Sequence, residues 1–75
     1  MNKVVVEFWE AKIWVEVAGL KHYQRTDRFA SEAAAKVWIE ETRERLVANC
    51  REESADFNTD RVVTAVTHER FTVRS

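Results

Sequence analysis

The side chains able to do chemistry in this chain are few: two histidines, one cysteine, and carboxylates scattered among lysines and arginines. Zinc sites need His or Cys pairs at short spacing. His22 and His68 lie 46 residues apart, and neither has a Cys or His at such a spacing. They read as exposed polar side chains, and no metal ligands are assigned. Cys50 falls on the inner stripe of an expected helix, where a free thiol behaves as a small hydrophobe rather than as a nucleophile. Gly19 is the only glycine, so a glycine-rich phosphate loop cannot be built. Glu7 and Glu16 could face each other across a sheet, but acid–base work needs a pocket that shifts carboxylate pKa values. A flat sheet offers none. The expectation is therefore no catalytic residues, no cofactor and no enzyme.

Binding residues are easier to nominate. Trp9 and Trp14 are expected on one sheet face beside Val5, rimmed by Glu7, Lys12 and Glu16. Aromatic anchors of this kind dominate binding hot spots, and an exposed apolar patch with a polar rim has the makeup of an interface. The plainer alternative is a cross-strand aromatic pair that stiffens a hairpin. Tyr23, Arg25 and Arg28 extend the candidate partner-binding surface along a strand edge. Lys21, His22, Arg25 and Arg28 form the one locally basic stretch. It reads as a solvated edge, with phosphate contact as the alternative.

These residues need elements to position them. Ser31–Glu53 is the one segment long and periodic enough to specify a helix. Ser31 suits the N-cap, and Glu32 favours the positive end of the helix dipole. At 100° per residue Ala35, Trp38, Ile39, Thr42, Leu46 and Cys50 share one stripe. Pairs four apart, Glu32–Lys36 and Glu41–Arg45, support the outer face by roughly 0.2–0.5 kcal/mol each.

The flanks are β-branched, aromatic and alternating. Val4–Trp9 and Ile13–Val17 are expected as two strands joined by a turn at Glu10–Ala11. Val4, Val6, Phe8, Ile13, Val15 and Val17 would then face the helix. Val5, Glu7, Trp9, Lys12, Trp14 and Glu16 would lie on the open side. Gly19–His22 is expected as a second turn, Gly19 being free to take positive φ, with Tyr23–Phe29 as a charged edge strand. Ser54–Arg61 returns the chain, Phe57 tucking beneath it. Val62–Arg74 follows as one strand bent by a bulge, or as two short strands about Thr67–Arg70. The predicted class is α+β: an antiparallel sheet of three to four strands with one helix on one face, in the order β-β-β-α-β, as a single domain over residues 1–75.

Composition bounds the rest. A chain of 75 residues buries only about 60% of its unfolded surface and is stable by roughly 4–8 kcal/mol, so a deep enzymatic pocket is not expected. One cysteine points to a reducing, cytoplasmic setting. The apolar runs are far too short for a membrane span, and the N-terminus lacks the core of a signal peptide. Net charge is −1, spread as five Lys/Arg against four Asp/Glu over 1–30, four against six over 31–53 and three of each over 54–75. No basic face of the kind nucleic-acid modules carry stands out.

Residues Ile13–Leu46, through Trp14, Phe29, Ser31, Ala35, Trp38 and Ile39, resemble the strand–turn–strand–helix pattern of the arm-type DNA-binding domains at the N-termini of tyrosine recombinases. That resemblance implies a sheet laid in the DNA major groove by basic and polar side chains, here Lys12, Lys21, Arg25 and Arg28. The whole chain is similar to small lone-cysteine αβ proteins encoded by phages and prophages, among them the anti-CRISPR proteins. This implies a viral inhibitor that occludes a larger host protein complex without catalysis. Protein interaction is the leading expectation, nucleic-acid binding the second and a homodimeric scaffold the third.

Overall fold

The computed structural model describes residues 2–74. β1 spans Lys3–Val17, β2 Leu20–Phe29, α1 Glu32–Glu53 and β3 Val62–Arg74, with a single 3-10 turn at Thr59–Arg61 before β3. The strands form one antiparallel sheet in the order β2-β1-β3. The class is α+β, a three-stranded sheet with one helix that lies between β2 and β3 in sequence.

The turn expected at Glu10–Ala11 is absent: the first two expected strands are halves of β1. β1 pairs with β3 without interruption from Lys3↔Arg74 to Val15↔Val62, so β3 is one strand and has no bulge against β1. Continuity reassigns the faces, because side chains alternate along a strand. Ala11, Ile13 and Val15 are 0–2% exposed, and the last two pack with Leu46 and Cys50 of α1. Odd positions of β1 therefore face the helix. Val17 agrees with expectation, but Val4, Val6 and Phe8 are on the opposite side from it. Val5, Glu7 and Trp9 are on the helix side, parted from Lys12, Trp14 and Glu16.

Local chemistry explains the other boundaries. Ala18 and Gly19, both at positive φ (52° and 78°), make the two-residue turn between β1 and β2, as hairpins with the right-handed twist of their strands require. β2 carries a bulge. Ile13 pairs Arg25 and Val15 pairs His22, so Tyr23 and Gln24 share the place opposite Trp14, with Tyr23 at φ 53°. Ser31 caps α1, its hydroxyl accepting from the Ala34 amide at 3.2 Å. Ala35, Leu46 and Cys50 are buried, with Trp38, Ile39 and Thr42 half-buried, as the stripe requires. Lys36 and Glu32 pair at 2.8 Å. Phe57 and Val62 close the core from below the return loop.

The molecule is long, 58 × 24 × 15 Å. Its radius of gyration is 15.9 Å, against about 11 Å for a compact chain of this length. Its surface is 5649 Å², against about 4,800 Å² for a compact protein of this mass. One end of the molecule contributes to this excess. β2 pairs with β1 only from Trp9 onward, and α1 starts beside that same point, where Phe29 meets Trp38 at 5.8 Å. Residues 3–8 and 69–74 run on as a bare two-stranded arm, about 20 Å long at 3.3 Å per residue.

Candidate interaction surface

The arm's two faces differ in kind. Its open face carries Val4, Val6 and Phe8 from β1, with Glu69, Phe71 and Val73 from β3. Phe8 and Phe71 meet edge to face at 6.5 Å. Val4, Phe71 and Val73 are 52%, 49% and 43% exposed, so the described residues leave the patch open. An isolated two-stranded ribbon is marginal in water, and a contiguous apolar patch on one marks a contact surface. The helix-side face is charged: His68 Nε2 lies 2.9 Å from Glu7 Oε2, and Arg70 Nε is 3.8 Å from the same oxygen.

The junction between arm and body is aromatic on both sides. Trp9 stacks on His68 at 4.5 Å and 9°, next to Phe29 and Trp38. On the other side Arg28 lies 4.7 Å over the Phe8 ring and donates through Nε to Glu10 Oε2 at 3.3 Å. Lys12 takes the other Glu10 oxygen at 3.3 Å. The Lys12 bond holds the Glu10 carboxyl below its usual range; burial opposes it, and the Arg28 bond adds to the lowering.

The body's open face continues with Trp14, half-buried and roofed by Lys21, whose ammonium sits 4.3 Å from the ring centre. The Trp14 Nε1 is enclosed without a hydrogen-bond partner among the described residues, so the indole has a face but no free donor to offer. Glu16, next along the strand, is exposed. Tyr23 stands at the β2 bulge, its hydroxyl 3.5 Å from Glu53. Arg25 is on the helix side and lines two shallow clefts between β2 and α1, of about 290 and 280 Å³.

The nine nominated residues therefore separate into three places. Lys12, Trp14, Glu16 and Arg28 share the open face. Val5, Glu7 and Trp9 lie on the helix side of the arm and its root. Tyr23 and Arg25 belong to the β2 edge. Trp9 and Trp14 do not form one patch. Sequence reasoning missed Phe8, Phe71, Val4, Val6 and Val73 as a surface because it placed the even valines beneath the helix. The signal was present: apolar residues fall at even positions from Val4 to Phe8 and at odd positions from Ile13 to Val17.

Cys50 is 9% exposed, and burial, with Glu53 nearby, pushes its thiol above the ordinary value. It is a core side chain, packed with Ile13, Val15 and Leu46. Among the described residues no three His, Cys, Asp or Glu side chains gather as a metal site. Nor is any helix long and apolar enough to cross a membrane. No protein-family model matches the chain, and no curated protein or solved structure is significantly similar to it.

Proposed function

We propose that the chain is a non-catalytic protein-binding module whose contact surface is the open face of the arm. The observation that carries this reading is the exposed cluster of Val4, Phe71 and Val73 around the half-buried Val6 and Phe8. These side chains lie on the sheet face away from α1. Arg28, Lys12 and Trp14 extend the surface onto the body and give it the polar rim typical of interfaces. Occlusion of a larger complex in the cytoplasm, as phage-encoded inhibitors of the anti-CRISPR kind practise it, is the form of action proposed. A sheet face already paired strand to strand suits a stoichiometric blocker because its backbone need not be ordered anew on docking.

Phe71→Ala should weaken partner binding by about 2 kcal/mol while thermal unfolding stays near wild type. Affinity capture with wild type and variant in parallel, read against the melting curve, checks this. A Phe71→Ala, Val73→Ser double variant that retains every partner at wild-type yield would end the reading.

A nucleic-acid reading has one observation in its favour. Lys12, Lys21 and Arg28 share the open face, as in a sheet docked on DNA. Glu10 engages two of these cations, and Glu16 and Glu69 stand on the same face, so its net charge is near zero. Filter binding to duplex DNA at two salt concentrations separates the readings. Affinity that falls steeply with salt favours DNA.

A further inference from the structure

Each sheet edge exposes unpaired backbone amides and carbonyls, and natural edges are usually guarded by charge, bulge or short length. β2 is guarded by its bulge at Tyr23–Gln24 and by Lys21, Arg25, Asp27 and Arg28. β3 sets His68, Glu69, Arg70 and Arg74 along its exposed half. The third free edge belongs to β1. Because β2 pairs with β1 only from Trp9 onward, Lys3–Phe8 has a partner strand on one side and, among the described residues, none on the other. This slot carries three consecutive valines, no proline and no bulge against β3. Its two charges, Lys3 and Glu7, are of opposite sign, so they do not repel a second copy of the same edge.

We propose that this edge pairs with the same edge of a second copy, antiparallel and centred on Val5. Symmetry limits the registers. Directly opposed residues in an antiparallel pair share one hydrogen-bonding type, and the type alternates along the strand. Two identical strands can therefore oppose only residues of equal parity. Centring on Val4 opposes Lys3 to Val5. Centring on Val6 opposes Val5 to Glu7 and Val4 to Phe8. Centring on Val5 opposes Lys3 of each copy to Glu7 of the other, with Val4 against Val6 on the opposite face. Of these three registers only the last matches opposite charges, and it does so twice.

The monomer's contacts leave room for those pairs. Lys3 makes no ion pair among the described residues. His68 and Arg70 both meet Glu7 at Oε2, which leaves Oε1 to receive the second copy's Lys3. The product is a four-stranded sheet, β3-β1 continued by the second copy's β1-β3, in place of two ribbons each too narrow to be stable alone. Both apolar faces then merge on one side, so the assembly presents the binding surface twice. The inference uses the arm's edge and not its face, and it stands whether or not the open face binds another protein.

Light scattering and sedimentation of the intact chain over a wide concentration range test it. The expected result is a species of twice the 8.8 kDa monomer mass at high concentration. Lys3→Glu, which sets like charges opposite each other twice, should weaken the dimer by about tenfold. Mild oxidation of Val5→Cys should give a covalent dimer, since opposed residues on adjacent strands lie within disulfide reach. Thr72→Cys, on the same face but on the far strand, should not. A wild type that stays monomeric into the millimolar range would overturn the proposal and leave the edge to a strand of another protein. A dimer indifferent to Lys3→Glu, or equal cross-linking at positions 5 and 72, would overturn it too.

Discussion

β1 passes through two environments, and the contrast between them is the most instructive property of this chain. From Ala11 to Val15 it is the central strand of a body, flanked on both sides and roofed by α1. From Lys3 to Phe8 it is one rail of an arm, paired only with β3. Both stretches are mainly β-branched and aromatic: three valines and a phenylalanine with Lys3 and Glu7 in the arm, isoleucine, valine and tryptophan with Lys12 in the body. What differs is which parity is apolar and whether anything covers it. In the body the odd positions are apolar and sealed. In the arm the even positions are apolar and bare. The buried core therefore belongs to one half, and the proposed binding surface to the other.

The sharpest break between the halves should come from cavity formation. Ile13 is fully buried against Leu46 and Cys50. Ile13→Ala should cost about 2–5 kcal/mol, a large share of the total stability of so small a domain. Phe71→Ala, half exposed on the arm, should cost under about 1 kcal/mol. Denaturant titration of the two variants checks the contrast. Equal losses would mean that the arm is part of the cooperative core.

Native-state hydrogen exchange gives the next effect in size. Amides of 3–8 and 69–74 should open locally at lower free energy than those of Ile13 and Val15, giving protection lower by about tenfold or more. Amides of the arm protected as strongly as the core, at protein concentrations where the chain is monomeric, would erase the distinction.

The smallest expected effect is at the junction. The folded-state pKa of Glu10 is lowered by Lys12 and Arg28, so its ion pairs contribute stability above the ordinary carboxylate pKa. That contribution is lost as pH falls through the lowered value. Glu10→Gln should therefore lose slightly less stability than wild type between neutral pH and pH about 3. Matched thermal melts at the two pH values read the difference, and identical acid sensitivity would remove Glu10 from the account.

The helix was legible because its signals are local. Ser31 caps it, and the stripe from Ala35 to Cys50 is spaced for one face. A turn at Gly19 was legible for the same reason, but it is Ala18 and Gly19 that make it, and Leu20–His22, expected within the turn, belong to β2. The strand layout failed at one step. The apolar parity changes between Phe8 and Ile13, and two devices produce such a change: a turn that divides two strands, or one strand whose buried face changes along its length. Ala11 decides between them, because it lies fully buried under α1, where a small side chain lets the helix approach the sheet. Nothing at Ala11 in the sequence says so. The His68–Trp9 stack was equally invisible, since it depends on a register set by residues 59 apart in sequence. The open apolar face of the arm was hidden by the same misplaced turn, which set its valines beneath the helix.

The unbroken ladder between β1 and β3 also fixes where the arm is aimed. Side chains change sides with every step along a strand. One residue added to each strand between junction and tip, beside Phe8 in β1 and beside Glu69 in β3, would roll the valines and phenylalanines round to the helix side. A second addition to each would roll them back. Chain length between body and tip, counted only as odd or even, thus sets the direction in which this protein presents its greasy side.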